Sequence, residues 1–385
     1  MSEINASNFK KEHGDLAPDL VGVTEFQSPY FFVPPSGTTA ERPEDCEPGT
    51  LRFNTDHGSL EIFRGNTIGW EQIMRRDSQY LGGGTGSNTG VGTRMCILGG
   101  YTGAVVNTID YITIPTFGNA EDFGDLASIA YSAGAVGSST RGFKLGGYTP
   151  GVSNSVNVFN FASKGNAVDS INLTTVTAYP GEFSNEVRAV LAGNSHPGAT
   201  NVIQYFAMIT TGNASDFGDL SYATLAPAGC ASSTRGIFAG GQPAPGVNTI
   251  EFVTIMTTGN ASDFGDMTYA AQQLMACSNA TRGLISGGGA PGAMVNTINF
   301  ITIATTGNAT DFGDMTYTNN RDGASGSSKT RGIVGAGGDP YTSPYPKTNT
   351  INAVEIATTG DALDFGDLTS SRNHMAGCSN GHGGL

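Results

Sequence analysis

Short apolar runs separated by Gly-rich segments recur along most of this chain at regular spacing. Between residues 274 and 318 the stretches MACS, GLISGG, NTINFITI and MTYT follow one another, with polar or Gly-containing segments between them. Runs of this length that are rich in β-branched and aromatic residues predict β-strands. In the third stretch Ile298 and Phe300 lie on one face and Ile301 and Ile303 on the other, which predicts a strand covered on both sides.

Each group of four predicted strands is one copy of a repeat of 47 residues. The clearest anchor is T-R-G, an apolar residue and then Gly-Gly, and the gaps between its arginines are 47, 47, 47, 47 and 49 residues. These arginines are Arg94, Arg141, Arg188, Arg235, Arg282 and Arg331. Two further anchors follow, an N-T-I-x-x-x-T-I stretch and G-N-A-x-D-F-G-D. The third anchor contains Asp122, Asp216, Asp263, Asp311 and Asp364, and it has decayed to GNAVDSIN in the second copy.

A four-stranded unit repeated four to eight times is the signature of a β-propeller. The first copy begins at its second strand, and HMAGCSN (374–380) matches the strand that this copy lacks. We therefore predict an all-β fold with a six-bladed propeller over residues 93–385. The C-terminal strand closes it and leaves no open sheet edge. The strand order resembles the kelch motif in architecture, although D-F-G-D replaces the Trp of the family's fourth strand.

Residues 1–80 contain no copy of the repeat. The stretch LRFNTDHGSLEIFRGNTIGWEQI predicts a small β-meander with Phe53, Leu60, Ile62, Phe63 and Trp70 as its apolar anchors. So small a core is insecure alone, so we expect this segment to form homo-oligomers or to dock on another protein. We predict three regions: an attachment and oligomerisation segment (1–80), a Gly-Ser linker (81–92) and the propeller (93–385).

Charge and hydropathy exclude several classes of partner. The net charge of −14 argues against a nucleic-acid partner, because phosphate binding needs clustered Lys and Arg. No apolar run approaches the roughly 18 residues of a membrane span, so we predict no membrane insertion. The first residues, MSEINASNFKKEHGDL, lack the apolar region of a signal peptide. We expect the five cysteines to be reduced and mostly buried.

The N-terminal residues carry a resemblance to a known group of proteins. The pattern VPPSGTTAERP, followed by GTLRFNTDHGSLE, is similar to the N-terminal region of tail-fibre-like virion structural proteins of tailed phages, particularly those that infect marine cyanobacteria. The T-T-G-N-A-x-D-F-G-D repeats are similar to repeats of the same proteins. The resemblance implies a virion appendage, assembled in the host cytoplasm, that contacts other virion proteins and meets the host surface.

The two repeated charged motifs have structural and functional interpretations. D-F-G-D lacks the motifs that accompany the kinase triad, and it resembles the sialidase Asp-box loosely. Asp216, Asp219 and Asn213 offer oxygen ligands for calcium, an alternative that stays open. We favour a tight turn in which Asn and Asp satisfy backbone N–H groups. We expect each T-R-G arginine to bridge to the Asp-rich turn of its own or a neighbouring unit; an anion-binding ring of arginines is the alternative.

Catalytic motifs are scarce. None of the five histidines has metal-ligand spacing and no nucleophile elbow is present, so we predict no enzyme, no catalytic residue, no cofactor and no metal. The loops after Gly-Gly and between repeats differ among copies, and loops on a rigid scaffold often carry recognition. Simple drift of surface loops would give the same pattern. The candidate binding residues are Tyr101, Tyr148, His196, Arg321, Tyr341, Tyr345, Arg372, Asn373 and His374.

The resemblance thus implies a phage virion appendage whose propeller is displayed to bind a host-surface glycan or receptor, or a neighbouring virion protein. One alternative is a purely architectural part, such as a head-decoration or tail component, with no host ligand. Another is a glycan-degrading propeller enzyme, which would need a carboxylate pair or a Tyr/Glu nucleophile among its loops.

Overall fold

The protein is all-β, and β-strands form each of the two compact units described below. A computed structural model describes residues 34–43, 46–56, 59–66, 69–73, 93–210, 212–243, 246–291, 293–318, 323–338 and 347–385. The contacts divide the chain into two compact units, Met1–Arg75 and Arg76–Leu385. The predicted linker, 81–92, lies outside the described residues. Within the described ranges no helix has the length and apolar character needed to cross a membrane.

Most strands are four to eight residues long, as expected from the apolar runs. In chain order they are β1 (Ser36–Gly37), β2 (Leu51–Asn54), β3 (Ser59–Phe63), β4 (Trp70–Ile73), β5 (Arg94–Leu98), β6 (Thr108–Thr113), β7 (Glu121–Asp125), β8 (Gly134–Gly137), β9 (Arg141–Leu145), β10 (Tyr148–Thr149), β11 (Gly151–Val152), β12 (Ser155–Asn160), β13 (Val168–Asn172), β14 (Gly181–Ser184), β15 (Arg188–Ala192), β16 (Thr200–Ala207), β17 (Ser215–Thr224), β18 (Ala228–Ala231), β19 (Arg235–Ala239), β20 (Val247–Thr254), β21 (Ser262–Ala271), β22 (Met275–Ser278), β23 (Arg282–Ser286), β24 (Gly289–Ala290), β25 (Ala293–Met294), β26 (Thr297–Thr302), β27 (Thr310–Asp314), β28 (Ala324–Ser327), β29 (Arg331–Gly338), β30 (Thr348–Glu355), β31 (Leu363–Asp367) and β32 (Ala376–Ser379). A 3₁₀-helix covers Thr39–Glu41.

The Arg76–Leu385 unit contains one four-stranded antiparallel sheet for each repeat. In strand order A-B-C-D these are sheet I (β32-β5-β6-β7), sheet II (β8-β9-β12-β13), sheet III (β14-β15-β16-β17), sheet IV (β18-β19-β20-β21), sheet V (β22-β23-β26-β27) and sheet VI (β28-β29-β30-β31). The expected pairing of the last strand with the first repeat is present, because β32 pairs with β5 and places Cys378 opposite Cys96. Both cysteines are free and buried.

The A strands bring the six sheets together. Strand β14 contacts β8 and β18, β22 contacts β18 and β28, and β32 contacts β28 and β8. Each A strand therefore has two other A strands as neighbours. The apolar clusters lie between successive sheets: Phe143 of sheet II packs edge-on against Phe206 of sheet III with ring centroids 5.6 Å apart, and one cluster joins Ile351 of sheet VI to Ile97 and Ile112 of sheet I.

The D-F-G-D motif forms the D strand and is not the turn expected from the sequence. In sheet III it begins β17, with Asp216 exposed and Phe217 buried. The pairing with β16 shifts by one residue at this point, which is a β-bulge. Gly218 has φ of 149°, and a Cβ there would lie 2.4 Å from the carbonyl oxygen of Gly259 in the next sheet. The glycine thus serves a bulge and a close approach between sheets.

The G-N-A segment before each D strand binds the D strand of the preceding sheet. Gly259 and Ala261 of sheet IV donate backbone N–H groups to Phe217 and Asp219 of sheet III at 2.8 Å. The amide of Asp219 in turn donates to Asn260 Oδ1 at 3.0 Å. The same side-chain cap occurs at all six junctions, including the one from sheet VI to sheet I. The capped amides are those of Asp125, Asn172, Asp219, Asp266, Asp314 and Asp367.

Five of the six T-R-G arginines link neighbouring sheets, but their partners differ from the expected Asp-rich turns. Arg235 Nη1 of sheet IV donates to the backbone carbonyl of Ile303 in sheet V at 2.9 Å. Its guanidinium also lies 4.3 Å from the ring centre of Phe252 on its own C strand. The other four donate in the same way, Arg94 to Phe161, Arg188 to Ile255, Arg282 to Ile356 and Arg331 to Ile114. The acceptor is a backbone carbonyl because the arginine side chain reaches the end of the C strand in the next sheet.

The Met1–Arg75 unit contains a small sheet in the order β1-β2-β3-β4. The prediction that its five apolar anchors form one core is wrong in part. Side chains alternate between the two faces of a strand, so these anchors are divided between the two faces of the sheet. Arg52, Asn54, Glu61 and Phe63 are buried among the described residues of this unit. Arg42 Nε donates to Glu61 Oε2 at 3.1 Å, which lowers the pKa of Glu61. On the opposite face, β2 and β3 carry Leu51, Phe53, Leu60 and Ile62, and we call these four side chains the apolar face; Leu51 is 46% exposed and Leu60 38%.

Sheet II contains an unusual charge in its interior. Lys144 is fully buried on β9, where the equivalent residues of other sheets include Ile97, Leu191 and Phe238. Its Nζ has no hydrogen-bond partner among the described residues. Burial lowers the pKa of Lys144 from 10.5 to about 8.

Replacing Lys144 with Leu should stabilise the protein by about 2 kcal/mol at pH 7. The unfolded chain keeps the ordinary Lys pKa, so it binds the proton more tightly than the folded chain does. The cost of burying Lys144 is therefore full below pH 8 and fades as the pH rises towards 10.5. Denaturant unfolding at pH 7 and pH 10 measures this, with Lys164→Met as the control for loss of an exposed charge. An equal gain at both pH values would contradict the prediction.

Removing the arginine contacts should have unequal effects on different sheets. Arg235→Ala loses the carbonyl bond and the ring contact, so we expect a loss of about 2 kcal/mol. Arg141 makes neither contact among the described residues, so Arg141→Ala should change stability by less than about 0.5 kcal/mol. Thermal unfolding of the two variants in parallel checks this. Equal melting temperatures would show that the interaction between sheets does not depend on the arginine.

Candidate functional site

The diverse loops are those that connect B to C strands and one sheet to the next, and they lie together at one end of the sheets. Three candidate residues, Arg321, Tyr341 and Tyr345, lie outside the described residues. Tyr148 and His374 come together in space. Tyr101 is exposed on the B–C loop of sheet I, where its ring lies 4.9 Å from Lys347 Nζ, and His196 is exposed on the B–C loop of sheet III.

Four half-buried rings form the aromatic patch, which we define as Tyr131, Tyr148, Tyr179 and His374. Tyr131 and Tyr148 stack with centroids 4.9 Å apart and planes 17° apart. The His374 ring lies edge-on to Tyr131 at 6.0 Å and to Tyr179 at 5.8 Å. Polar atoms border the rings, because Tyr148 Oη is 3.3 Å from Ser195 Oγ and His374 Nδ1 is 3.2 Å from Ser132 Oγ.

A chain of backbone hydrogen bonds holds two members of the patch in place. Ser132, Tyr179, Ala226, Gln273 and His374 occupy equivalent positions before A strands, and all have φ between 51° and 58°. This left-handed conformation is uncommon for residues other than glycine. Four of these N–H groups donate to a carbonyl of the same series at 2.9 to 3.0 Å: Ser132 to His374, Tyr179 to Ser132, Ala226 to Tyr179 and Gln273 to Ala226. Main-chain hydrogen bonds thus fix the backbone positions from which Tyr179 and His374 project.

A cavity of about 90 Å³ adjoins the patch and continues between the A strands. Its lining includes Ser132, Tyr179, Ala226, Leu274 and Met375. Glu182 is the one carboxylate among the described residues that line it, and Glu182 Oε1 accepts a hydrogen bond from the Ala135 amide at 3.0 Å.

Residues 380–385 lie across the A strands at the far end from the patch. Gly383 donates its N–H to the Ser278 carbonyl at 2.8 Å, and a Cβ on Gly384 would lie 1.9 Å from the Ser184 carbonyl oxygen. His382 Nε2 donates to the Gly137 carbonyl at 2.7 Å, while its Nδ1 accepts from the Gly384 amide. Burial lowers the pKa of His382 and favours this neutral form.

Two candidate binding residues are buried, so assigning them to the exposed binding surface is wrong. Arg372 is 0% exposed, and its Nη2 lies 2.7 Å from Asp110 Oδ2 of sheet I. Burial lowers the pKa of Arg372, and the Asp110 carboxylate opposes this change. Asn373 is 5% exposed, and its backbone pairs with that of Tyr101. Both residues lie in the segment that carries His374, and neither side chain is on the exposed surface.

Tyr131 and Tyr179 were missed as candidates. Both lie in loops between sheets, in the stretches IAYSAG and TAYPGE. Aligning these stretches with RNHMAG would have placed Tyr179 at the position of His374 and Tyr131 one residue before it. This alignment would have identified both residues as candidates, but the B–C loops contain more aromatic residues and therefore supplied most of the candidates.

Among the described residues no group of three or more His, Cys, Asp or Glu side chains is arranged to hold a metal ion. The first Asp of each D-F-G-D copy lies in a strand, and Asp364 Oδ1 accepts the Gly366 amide at 3.1 Å. No protein-family model matches the chain, and no curated protein matches it significantly.

Proposed function

We propose that this protein is a non-enzymatic binding protein of a tailed-phage virion and that its aromatic patch binds a saccharide of the host surface. The patch is the observation that carries the proposal. Stacked tyrosines present rigid apolar faces with polar edges, which suit the C–H faces and hydroxyl groups of a sugar ring. Ser132 and Ser195 border the rings with hydroxyl groups that can donate or accept.

We further propose that the six sheets are the blades of a closed six-bladed propeller. Three contacts between sheets VI and I support this: Arg331 to the Ile114 carbonyl, the Asp367 amide to Asn119, and the contact between β28 and β32. Such a scaffold holds the diverse loops together at one end, where the patch lies.

The virion role rests on the resemblance of the N-terminal pattern and of the repeats to tail-fibre-like proteins of tailed phages. The apolar face of the small sheet supports attachment. Leu51 pairs directly with Ile62, and Phe53 with Leu60, so the four side chains are adjacent. Exposed apolar side chains grouped in this way mark interaction sites. We propose that residues 1–80 bind other virion proteins and join copies of this chain into a homo-oligomer.

Binding should be measured first on a glycan array and then by calorimetry with the full chain. We expect Tyr131→Ala and Tyr148→Ala each to weaken binding about tenfold, because a ring contact contributes about 1.4 kcal/mol. Tyr101→Ala, which removes an exposed Tyr outside the patch, is the control and should bind as the wild type does. A wild type that binds no glycan would favour an architectural role, and release of reducing sugar would establish an enzyme.

If copies of the chain associate through the apolar face, substitutions in that face should lower the mass of the protein in solution. Leu60→Lys and Leu51→Lys should convert the oligomer to a monomer, because a charge at a buried contact has a large desolvation cost. Light scattering coupled to size exclusion measures this mass. Glu47→Lys changes an exposed residue outside the face and should leave the oligomer intact. A monomeric wild type would count against the homo-oligomer and leave docking on another protein to be tested.

A further inference from the structure

Arg141 in sheet II is the one T-R-G arginine that does not link sheets in the described part of the chain. Its five equivalents donate to a carbonyl of the next sheet and lie 4.3 to 4.8 Å from an aromatic ring. Arg141 has neither contact, and it is exposed. Its side chain is therefore available in a way that the others are not.

The sizes of two paired residues, one on the B strand and one on the C strand, explain why Arg141 does not make these contacts. In sheet III the ring of Tyr205, under Arg188, is on the C strand and faces the smaller Val190 on the B strand. In sheet II the large residue is on the B strand, because Phe143 pairs with Val158. Phe143 packs into the core against sheet III, so no ring remains under the guanidinium of Arg141.

A cleft of about 430 Å³ lies where the stacked ring would be. This volume is within the usual range for small-molecule sites, about 300 to 1,000 Å³. Its walls combine the apolar Val158, Phe159 and Val168 with the polar Asn160, Ser163 and Asn166. Val168 is 60% exposed, although it is apolar. The cleft thus offers apolar surface and hydrogen-bonding groups beside a guanidinium.

The charges around the cleft select an anionic group. Lys164 also lines it, but its ammonium already pairs with Glu121 Oε2 at 2.9 Å. No carboxylate occurs among the described lining residues, so Arg141 is left without a counter-charge. A protein with a net charge of −14 does not attract anions in general, so binding here would depend on the local fork of N–H donors. That fork matches a carboxylate with two parallel hydrogen bonds.

We infer that this cleft binds a saccharide that carries a carboxylate, such as a hexuronate, with Arg141 on the carboxylate and Val158 and Val168 against the sugar ring. The apolar walls favour an organic acid over a bare inorganic anion. The site is separate from the aromatic patch, since it lies at the end of the sheets that carries the T-R-G loops. It would let one chain hold an acidic surface polysaccharide at a second point.

Calorimetry of the full chain with a trigalacturonate tests the inference, and its methyl ester is the matched ligand without charge. We expect the acid to bind and the ester to bind at least about tenfold more weakly, because hydrogen bonds to charged groups contribute about 1.5 to 3 kcal/mol. Arg141→Gln should weaken binding of the acid by the same factor and leave the melting temperature unchanged. Tyr148→Ala should not affect it, which separates this site from the patch.

A reciprocal variant tests the cause. The double change Phe143→Val with Val158→Tyr restores the arrangement of sheet III, so the ring should capture Arg141, fill the cleft and abolish binding. Three results would overturn the inference: no binding of the acid by the wild type, equal binding by Arg141→Gln, or displacement of the sugar by sulfate or phosphate at equal concentration. The last would identify a site for simple anions.

Discussion

Hydrogen bonding at the D-strand edges is the constraint on which the repeated architecture depends. A four-stranded sheet has two edges, and an unpaired edge invites association with other chains. Each D strand meets the G-N-A segment of the next sheet, which supplies backbone donors and an Asn or Asp side-chain acceptor. In the five sheets that keep D-F-G-D, the segment approaches so closely that a side chain at Gly218 or the equivalent glycine would collide with it, whereas sheet II has Ile171 at this position. The repeat is therefore fixed where sheets meet.

The same arrangement explains why one end of the sheets is free to vary. The arginine contacts and the G-N-A contacts are made at the end of the sheets where the A–B and C–D connections lie. At the other end, the hydrogen bonds from Ser132 onward involve only main-chain atoms. Any residue that tolerates a left-handed conformation can occupy those positions, so side chains as different as Ser, Tyr, Ala, Gln and His are found there. The patch arises because two of these positions carry rings.

Much of this organisation could be predicted from spacing alone. The repeat, the four strands per copy and the pairing of the last strand with the first copy all followed from residues 47 apart and from one missing strand. Three features could not be predicted in this way. D-F-G-D reads as a turn because a glycine inside a strand is unusual, and only the bulge and the neighbouring sheet explain it. Arg372 reads as an exposed loop charge, and its partner Asp110 is 262 positions away. In the N-terminal sheet the apolar residues were visible, but the burial of Glu61 depends on Arg42 across a loop.

Sheet II shows which contact between sheets is kept when others are lost. It lacks the aromatic ring under its arginine and the Phe and Gly of D-F-G-D. Among the described residues its arginine makes no link to sheet III, and the buried Lys144 has no hydrogen-bond partner. Yet its edge is still capped: the Asn172 amide donates to Asn213 Oδ1 at 3.0 Å, and the Ala214 amide donates to the Asn172 carbonyl at 2.9 Å. The arginine contacts are thus additions that one repeat can lose. These two edge bonds are kept in the repeat that has lost the arginine contact and has a cleft beside its arginine.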